Sequence, residues 1–453
     1  MKMKKILISI FTLFLIAVPA FSSEKTEEYL NMTWWKTFED NNLNENLIKL
    51  YQNNYDLKNA ELKVKENEQA VRMQFAQELP SLYLTGEISR DLQAARKQYG
   101  DMTVRKYSQN NYNIPFTAGY EIDIWGKNRL KTKSQKEILK MTKQAERATY
   151  ISLTSAFAAD YFNLIKADKT SEIEKELVNT QQQILSLTKD KYAAGLCTIN
   201  EVLLQEKLLA SFTEEYNNNL KTKEVLINNL NVYLATPNSD VERNGYAAVR
   251  VPNNLPLTYN SDIVSNRPDF ITSEAQIKKA GLDVKVAKRE FLPSFTIFGQ
   301  AGLNAYNLKS MFNSPSQFFT AGVIPSVDLF TGGRKTAFLK IKKYQYEQAL
   351  NDYQQTYLTG IKEVNSTLAE YKTALNNYGE SQKRIEAESN LYNLAAEKRN
   401  IGSSGIIEVL LAKENYLITE KENVSNKINT IISIIGLYKA TGGTNLKNIE
   451  ENI

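Results

Sequence analysis

Histidine is absent from all 453 residues. That excludes a Ser-His-Asp triad, a Cys-His nucleophile pair and a histidine-ligated zinc site. Cysteine occurs once, at Cys197, so the chain has no disulfide framework. Beyond the N-terminus, no stretch reaches the roughly 18–20 apolar residues that a membrane-spanning helix needs. Charge of one sign is scarce as well: the formal net charge is +5, of which Lys2, Lys4 and Lys5 supply three. Lys, Glu, Asn and Gln are interspersed, as on solvated helix faces, and nucleic-acid binding has no support in that balance. Residues 127–194 contain neither proline nor glycine, with Gly126 and Gly195 standing at the two ends. Nothing in that stretch interrupts a helix.

The chain opens with Lys2, Lys4 and Lys5, an apolar run from Ile6 to Val18, and small residues up to Ser22. This reads as a secretory signal over 1–22, cleaved after Ser22. The run is too short to span a membrane as a helix. No cysteine follows the signal, so the mature N-terminus is expected to carry no lipid.

The remainder lies on top of itself. Lys191, Gly195, Glu201, Val202, Leu203 and Leu204 return 207 residues later as Lys398, Gly402, Glu408, Val409, Leu410 and Leu411. Leu79-Pro80-Ser81 and Gly86 return as Leu292-Pro293-Ser294 and Gly299. Phe116-Thr117-Ala118-Gly119 returns as Phe319-Thr320-Ala321-Gly322, and in each half an Asp precedes an Arg by six residues (Asp123/Arg129, Asp328/Arg334). So long a period indicates two fused half-proteins rather than a solenoid. The expected division is a first repeat over 23–240, a linker over 241–260, a second repeat over 261–441 and a polar tail over 442–453.

Each half contains one very long helical pattern, over 127–194 and 334–400. In the second, Leu350, Tyr353, Tyr357, Ile361, Val364, Leu368, Tyr371, Leu375 and Tyr378 step by threes and fours, a coiled-coil seam. At ~1.5 Å per residue each helix would be roughly 100 Å long. Shorter helices are expected over 43–78, 198–235, 261–290 and 405–438. Each is close to half that length, so two stacked end to end would match one long helix.

Four alternating segments, over about 80–90, 112–125, 293–303 and 318–330, read as strands. Their apolar sets are Leu82, Leu84 and Ile88; Tyr112, Ile114, Phe116, Ala118, Tyr120, Ile122 and Ile124; Phe295, Ile297, Ala301 and Leu303; Phe319, Ala321, Val323, Val327 and Leu329. Each is near the ten residues of a tilted strand crossing a bilayer, and Trp125 at one strand end fits an aromatic girdle. Pro115 and Pro325 fit poorly in a closed sheet. Four strands do not close a membrane barrel, and an open edge in lipid leaves backbone groups unsatisfied. Several copies must then share one barrel.

Plainer readings exist for single residues. Gly195 and Gly402 are helix-terminating glycines. Glu201 and Glu408 read equally as helix-start acids favoured by the dipole. Cys197 reads as a tolerated small residue.

The ensemble resembles the TolC-type outer-membrane efflux proteins, and within them the OprM/NodT-like branch that serves resistance-nodulation-division pumps. The residues that carry the resemblance are Trp34-Trp35-Lys36-Thr37-Phe38, Tyr120 to Lys127, Asn266-Arg267-Pro268-Asp269-Phe270, Phe291 to Phe295, and Asp328 to Arg334. The turn segments Tyr192 to Gly195 with Glu201-Val202-Leu203, and Arg399 to Gly402 with Glu408-Val409-Leu410, complete them. The resemblance implies a fold that is mainly α with a small membrane β-barrel. It would be a homotrimer whose chains contribute four strands each to a shared twelve-stranded barrel, above a long periplasmic α-barrel. It implies an exit duct for drugs or other small toxic compounds, no catalysis and no cofactor. The implied partners are a periplasmic adaptor, an inner-membrane transporter and the lipid of the outer membrane. Metal-ion or polypeptide export through the same duct, or a periplasmic rod or adaptor, are the alternatives. The turns near 192–200 and 399–407 would form a constricted tip, residues 236–260 a belt, and 91–111 and 304–317 external loops. Glu408 matches an acidic aperture position of the family, with Glu201 as its duplicate. Ser404 and Leu411 depart from an arginine and a second acid found in some members, so the expected lock would be looser, or made elsewhere through Arg399 and Lys398.

Overall fold

A computed structural model describes residues 34–443, apart from 94–95, 98–102, 105, 238, 253–254 and 256–260. The expected signal at 1–22 and residues 444–453 of the expected tail lie outside the described residues.

The uninterrupted patterns form two helices of equal length. α3 runs Lys127–Ala193 and α6 runs Arg334–Asn400, 67 residues each. Both start from a left-handed glycine, Gly126 (φ 68°) and Gly333 (φ 81°). Asp123 accepts from the Arg129 backbone N–H at 2.9 Å, so the echoed Asp caps the start of α3. In the second half Asp328 pairs with Lys335 at 3.0 Å rather than with Arg334.

The shorter helices are α1 Asn41–Asn53, α2 Tyr55–Ala76, α4 Ile199–Leu234, α5 Pro268–Arg289 and α7 Ile406–Ala440. The helix expected over 43–78 is therefore two. Asn54 leaves helical geometry (ψ 130°), and its side chain accepts from the Asp56 and Leu57 N–H groups, starting α2 afresh. The helix expected over 261–290 starts with a 3-10 segment, Ser261–Asn266, because Pro268 restricts the residue before it and occupies the first turn of α5.

End-to-end stacking is observed, and a side chain joins each pair. Asn54, at the start of α2, donates to the Tyr233 carbonyl at the end of α4, at 3.0 Å. Arg267, at the start of α5, donates to the Ala440 carbonyl at the end of α7, at 2.8 Å. α2 over α4 and α5 over α7 thus run as two broken rods beside the two unbroken ones. α3 packs against α2, α4, α5 and α7, and α6 against α5 and α7.

The core lies where the rods are broken. A 3-10 turn, Trp34–Phe38, buries Trp34, Trp35 and Phe38. The Trp34 ring meets Tyr438 and the Phe38 ring meets Phe162, each with centroids 5.0 Å apart. Burying side chains of this size contributes about 2–3 kcal/mol each. The segment after α4 wraps this level. Asn42 donates to Asn244 Oδ1 at 3.0 Å and Asn46 to the Glu242 carbonyl at 2.9 Å. Arg243 reaches Asp168 of α3 at 2.6 Å, and Lys223 of α4 reaches the same carboxylate at 2.7 Å. Burial alone would lift the Asp168 carboxyl, but hydrogen bonds and charge from Arg243 and Lys223 outweigh it and hold it below the usual carboxylate range.

The strands are β1 Ser81–Leu84, β2 Glu87–Gln93, a short ribbon of β3 Arg96–Lys97 and β4 Thr103–Val104, then β5 Tyr107–Glu121, β6 Ser294–Ala305 and β7 Gln317–Ser326. β5 extends five residues above the expected start and ends at Glu121, so Ile122 to Trp125 lie past the strand; β7 likewise stops at Ser326. β1 and β2 follow one register along β5, which pairs on its other side with β6, and β6 with β7, all antiparallel. Pro115 explains the break between β1 and β2. Thr85 N–H donates to the Pro115 carbonyl at 3.1 Å, but proline has no N–H to return. The register puts Leu82, Leu84, Ile88, Tyr112, Phe116, Ala118, Ile297, Ala301, Leu303, Phe319, Ala321 and Val323 on one face, the face that alternation assigned to them. The other face carries Asn111, Asn113, Thr117, Thr296, Gln300, Asn304 and Thr320, and Gln300 donates to Thr117 at 3.3 Å. Among the described residues, both edges of the sheet, β1–β2 and β7, are open.

Candidate functional site

The duplicated tips are built alike. At the end of α3, Gly195 (φ 73°) allows Leu196 N–H to reach the Lys191 carbonyl at 2.8 Å and its own N–H to reach Tyr192 at 2.9 Å. At the end of α6, Gly402 (φ 75°) allows Ser403 N–H to reach Lys398 at 2.8 Å and its own N–H to reach Arg399 at 2.9 Å. Each is the left-handed glycine closure that satisfies the last carbonyls of a helix. It reverses the chain into α4 and α7, so each half is an antiparallel hairpin.

The acids that follow are placed at the third residue of the next helix. Glu201 Oε1 accepts from the Thr198 backbone N–H at 3.0 Å and from its hydroxyl at 3.1 Å. Those bonds hold its carboxyl below the usual range. Its carboxylate thus serves its own helix start. Glu408 has Gly405 in place of that threonine, and its carboxylate folds over the glycine, where a Cβ would stand 2.5 Å from Oε2. Glu408 stays exposed and makes no ion pair among the described residues.

Lys398 and Arg399 are exposed and likewise make no ion pair among the described residues. Ser404 donates to the Ala395 carbonyl at 3.4 Å, within its own turn. Leu411 is exposed. Cys197, partly buried, donates from Sγ to the Thr188 carbonyl at 3.4 Å. Trp125 lies at the opposite end of α3, 41% exposed, with Nε1 donating to the Pro293 carbonyl at 2.7 Å. It ties the exit of β5 to the entry of β6.

The hairpins are joined well above the tips, through contacts that pattern reading did not find. Lys413 of α7 pairs with Glu176 of α3. Lys421 reaches Glu215 of α4 at 2.6 Å and Glu174 at 3.6 Å, and Lys169 reaches Glu420 at 3.2 Å. Within the first hairpin, buried Gln181 of α3 donates to Gln205 Oε1 of α4 at 2.7 Å. In sequence each is one Lys, Glu or Gln among many, and only the helix register makes them partners. Among the described residues, no group of His, Cys, Asp and Glu is arranged to hold a metal ion.

The arrangement therefore offers two long hairpins with glycine-closed tips at one end and an amphipathic open sheet at the other. A family model described as outer membrane efflux protein matches residues 47–235 and 260–443, one match on each repeat. TtgC of Pseudomonas putida, a probable efflux pump outer membrane protein, is 24% identical over 433 residues, 94% of this chain and 88% of its own length. CusC of Escherichia coli, a cation efflux system protein, is 26% identical over 428 residues, 92% of this chain and 89% of its own. The crystal structure of the Campylobacter jejuni CmeC outer membrane channel superposes with a TM-score of 0.82 at 25% identity, covering 93% of this chain and 91% of that one.

Proposed function

This chain belongs to the outer membrane efflux protein family, and from that premise we propose that it is the exit duct of a tripartite pump, working as a homotrimer. Three copies would close the open sheets into one barrel, leaving no strand edge in lipid. The hairpins would form the conduit below, with no bond chemistry of its own. A periplasmic adaptor and a resistance-nodulation-division transporter would open the tip and supply the driving force. The absence of a cysteine after the signal supports anchoring by the barrel alone.

The observation that carries this reading is the doubled hairpin-and-sheet unit, matched by the family model once in each half. Drugs or other small toxic compounds are the cargo that the branch motifs favour. Metal ions are the second reading, favoured by exposed Glu408, since three copies would ring the aperture with carboxylates.

Accumulation of a fluorescent pump substrate, with drug and metal susceptibility alongside, tests both in a deletion strain and its complemented twin. Greater retention of the dye, reversed on complementation, supports the drug duct. Sensitivity to metal alone selects the second reading. No change in either, with the protein in the outer membrane, overturns both.

A further inference from the structure

The modest net charge conceals a concentration of one sign. The starts of the long helices (127–143 and 334–346) and the end of α5 (278–290) together contain seventeen Lys and Arg against three acids. All three segments lie directly below the sheet. Between them is an open cleft of about 760 Å³ lined by Lys133, Lys136, Lys278, Lys285, Lys288 and Lys343, with Glu137 and Glu347 as its acids. Its charge is therefore strongly positive. Lys133, Lys278, Lys285, Lys288 and Lys343 make no ion pair among the described residues. Their neighbours Lys279 and Lys342 share Asp283 at 2.9 and 3.8 Å, and nearer the strands Lys127 pairs with Glu121 and Lys335 with Asp328, each at 3.0 Å.

The hand of the chain decides which side this cleft opens on. In β5, which runs down towards α3, the apolar residues are the even-numbered ones. Ile122 N–H turns to β6 (Phe295 carbonyl, 2.8 Å), and the Pro115 carbonyl turns to the β1–β2 side (Thr85 N–H, 3.1 Å). For L-residues this places β6 on the left and β1 on the right, viewed from the apolar face with the helices below. The helices keep that order: Thr132 of α3 reaches Glu78, just past α2, and Ser134 reaches Asp283 of α5. On a right-handed helix running down between those neighbours, Lys133, Lys136 and Glu137 face the viewer. The cleft opens on the same side of the wall as the apolar strand face.

A second observation lies between the two. Where strands give way to helices, Ile124, Trp125, Phe291, Leu292, Leu329 and Phe330 are all more than 40% exposed. Reading downward, the molecule presents exposed apolar strands, exposed aromatic and aliphatic side chains, then unneutralised lysines within roughly 17 Å of the helix starts. That is the profile of a bilayer met from its core: hydrocarbon, interface, headgroups.

We propose that this cleft binds the anionic phosphodiester headgroups of phospholipids in the periplasmic leaflet of the outer membrane, and so sets the depth and tilt at which the duct sits. The proposal rests on the outer-membrane reading above. Lipid is the occupant because the cleft is continuous with the apolar belt and opens on its side.

The test uses the full chain reconstituted in phosphatidylethanolamine vesicles containing phosphatidylglycerol. Electron spin resonance of spin-labelled lipids then reports which headgroup the protein retains. The wild type is expected to prefer phosphatidylglycerol about five-fold, one lysine contact being worth on the order of that factor. The preference should fall below about two-fold in Lys278→Gln/Lys285→Gln/Lys288→Gln, survive in the corresponding triple Arg variant, and weaken in 1 M salt as the screening length drops to about 3 Å. Equal retention of both lipids by the wild type, or an unchanged preference in the Gln variant, overturns the proposal. So does calorimetric binding of inorganic phosphate that the Gln variant loses while no lipid preference exists, since the occupant is then a soluble anion. Flotation and channel conductance of the same vesicles separate the two levels. Failure to insert overturns the outer-membrane reading as well, whereas insertion without preference overturns only the lipid site.

Discussion

At Gly302 a methyl group would lie 2.3 Å from the Ile114 carbonyl oxygen and 2.8 Å from Pro115 Cα. Proline in the middle strand is thus accommodated by a missing side chain opposite it and a break in the strand beside it. Gly302→Ala should cost about 1–3 kcal/mol of overpacking and lower the fraction of protein that reaches the outer membrane. Gly299→Ala, with nothing within 4 Å of the added carbon, should not. Immunoblots of membrane fractions compare them; equal yields would remove the steric argument. The two tip acids differ in a similarly testable way. Glu201 is held by Thr198, and Glu408 is not held by an ion pair among the described residues. Glu408→Ala should shift the reversal potential of the channel in a planar bilayer towards lower cation selectivity, and Glu201→Ala should leave it near wild type. Matching reversal potentials for Glu408→Ala and wild type would leave Glu408 as a helix-start acid only.

The broken rods depend on their junctions. Arg267 is buried and donates to the Ala440 carbonyl (2.8 Å), Asp269 (2.6 Å) and Glu363 (2.6 Å). Arg267→Gln should destabilise by about 2–3 kcal/mol, because it removes a charged fork and leaves a helix-end carbonyl unmet, with the exposed carboxylates rehydrated. Arg267→Lys should recover little of that, since an ammonium makes no planar fork. Thermal unfolding in detergent measures both; a wild-type midpoint for the Gln variant would sink the junction argument. The belt makes a pH prediction. The folded-state Asp168 carboxyl lies below its unfolded value of about 3.9. Its contribution is fully present above that value and is lost as pH falls through the depressed folded one. Hydrogen exchange over 239–249, corrected for intrinsic rate, should be unchanged between about pH 7 and 5 and rise only below about pH 4. Loosening already at about pH 5 would mean that another group controls the belt. The stacking was legible in the helix lengths and a belt in the resemblance, but the residues that fasten them were not, because Arg267 and Arg243 find their partners through helix packing, not through spacing.

At the scale of the molecule, the open edges make the strongest demand. Within one chain β1–β2 and β7 are separated by two strands, so they lie about 14 Å apart at ~4.8 Å per step, too far for a disulfide. In a shared barrel they are neighbours. Cysteines paired from Leu82, Leu84 and Ile88 with Phe319, Ala321 and Val323, in a Cys197→Ser background, should therefore yield covalent trimers on mild oxidation, seen on non-reducing gels. Only monomers across the whole panel would argue against a shared barrel. The hairpins and the faces of the strands were legible, since the duplicated glycines and the period of the side chains encode them directly; the break at Asn54, the split of β1 from β2 and the β3–β4 ribbon were not. The limits of β5 and β7 were not: alternation continues through Ile124, Val327 and Leu329, beyond the last bond from β5 to β6, which Ile122 N–H makes to the Phe295 carbonyl.

The sequence by itself determined the duplication, the two long helices, the glycine-closed tips and the apolar face of every strand. Each follows from local periodicity or from a backbone angle that glycine readily adopts. Tertiary structure alone decided what those elements do to one another. It set Asn54 and Arg267 as the joints of the rods, gathered lysines from three distant segments into one cleft, and aimed that cleft to the apolar side. Such pairings depend on helix rotation and on the hand of the sheet, which become definite only when the elements pack.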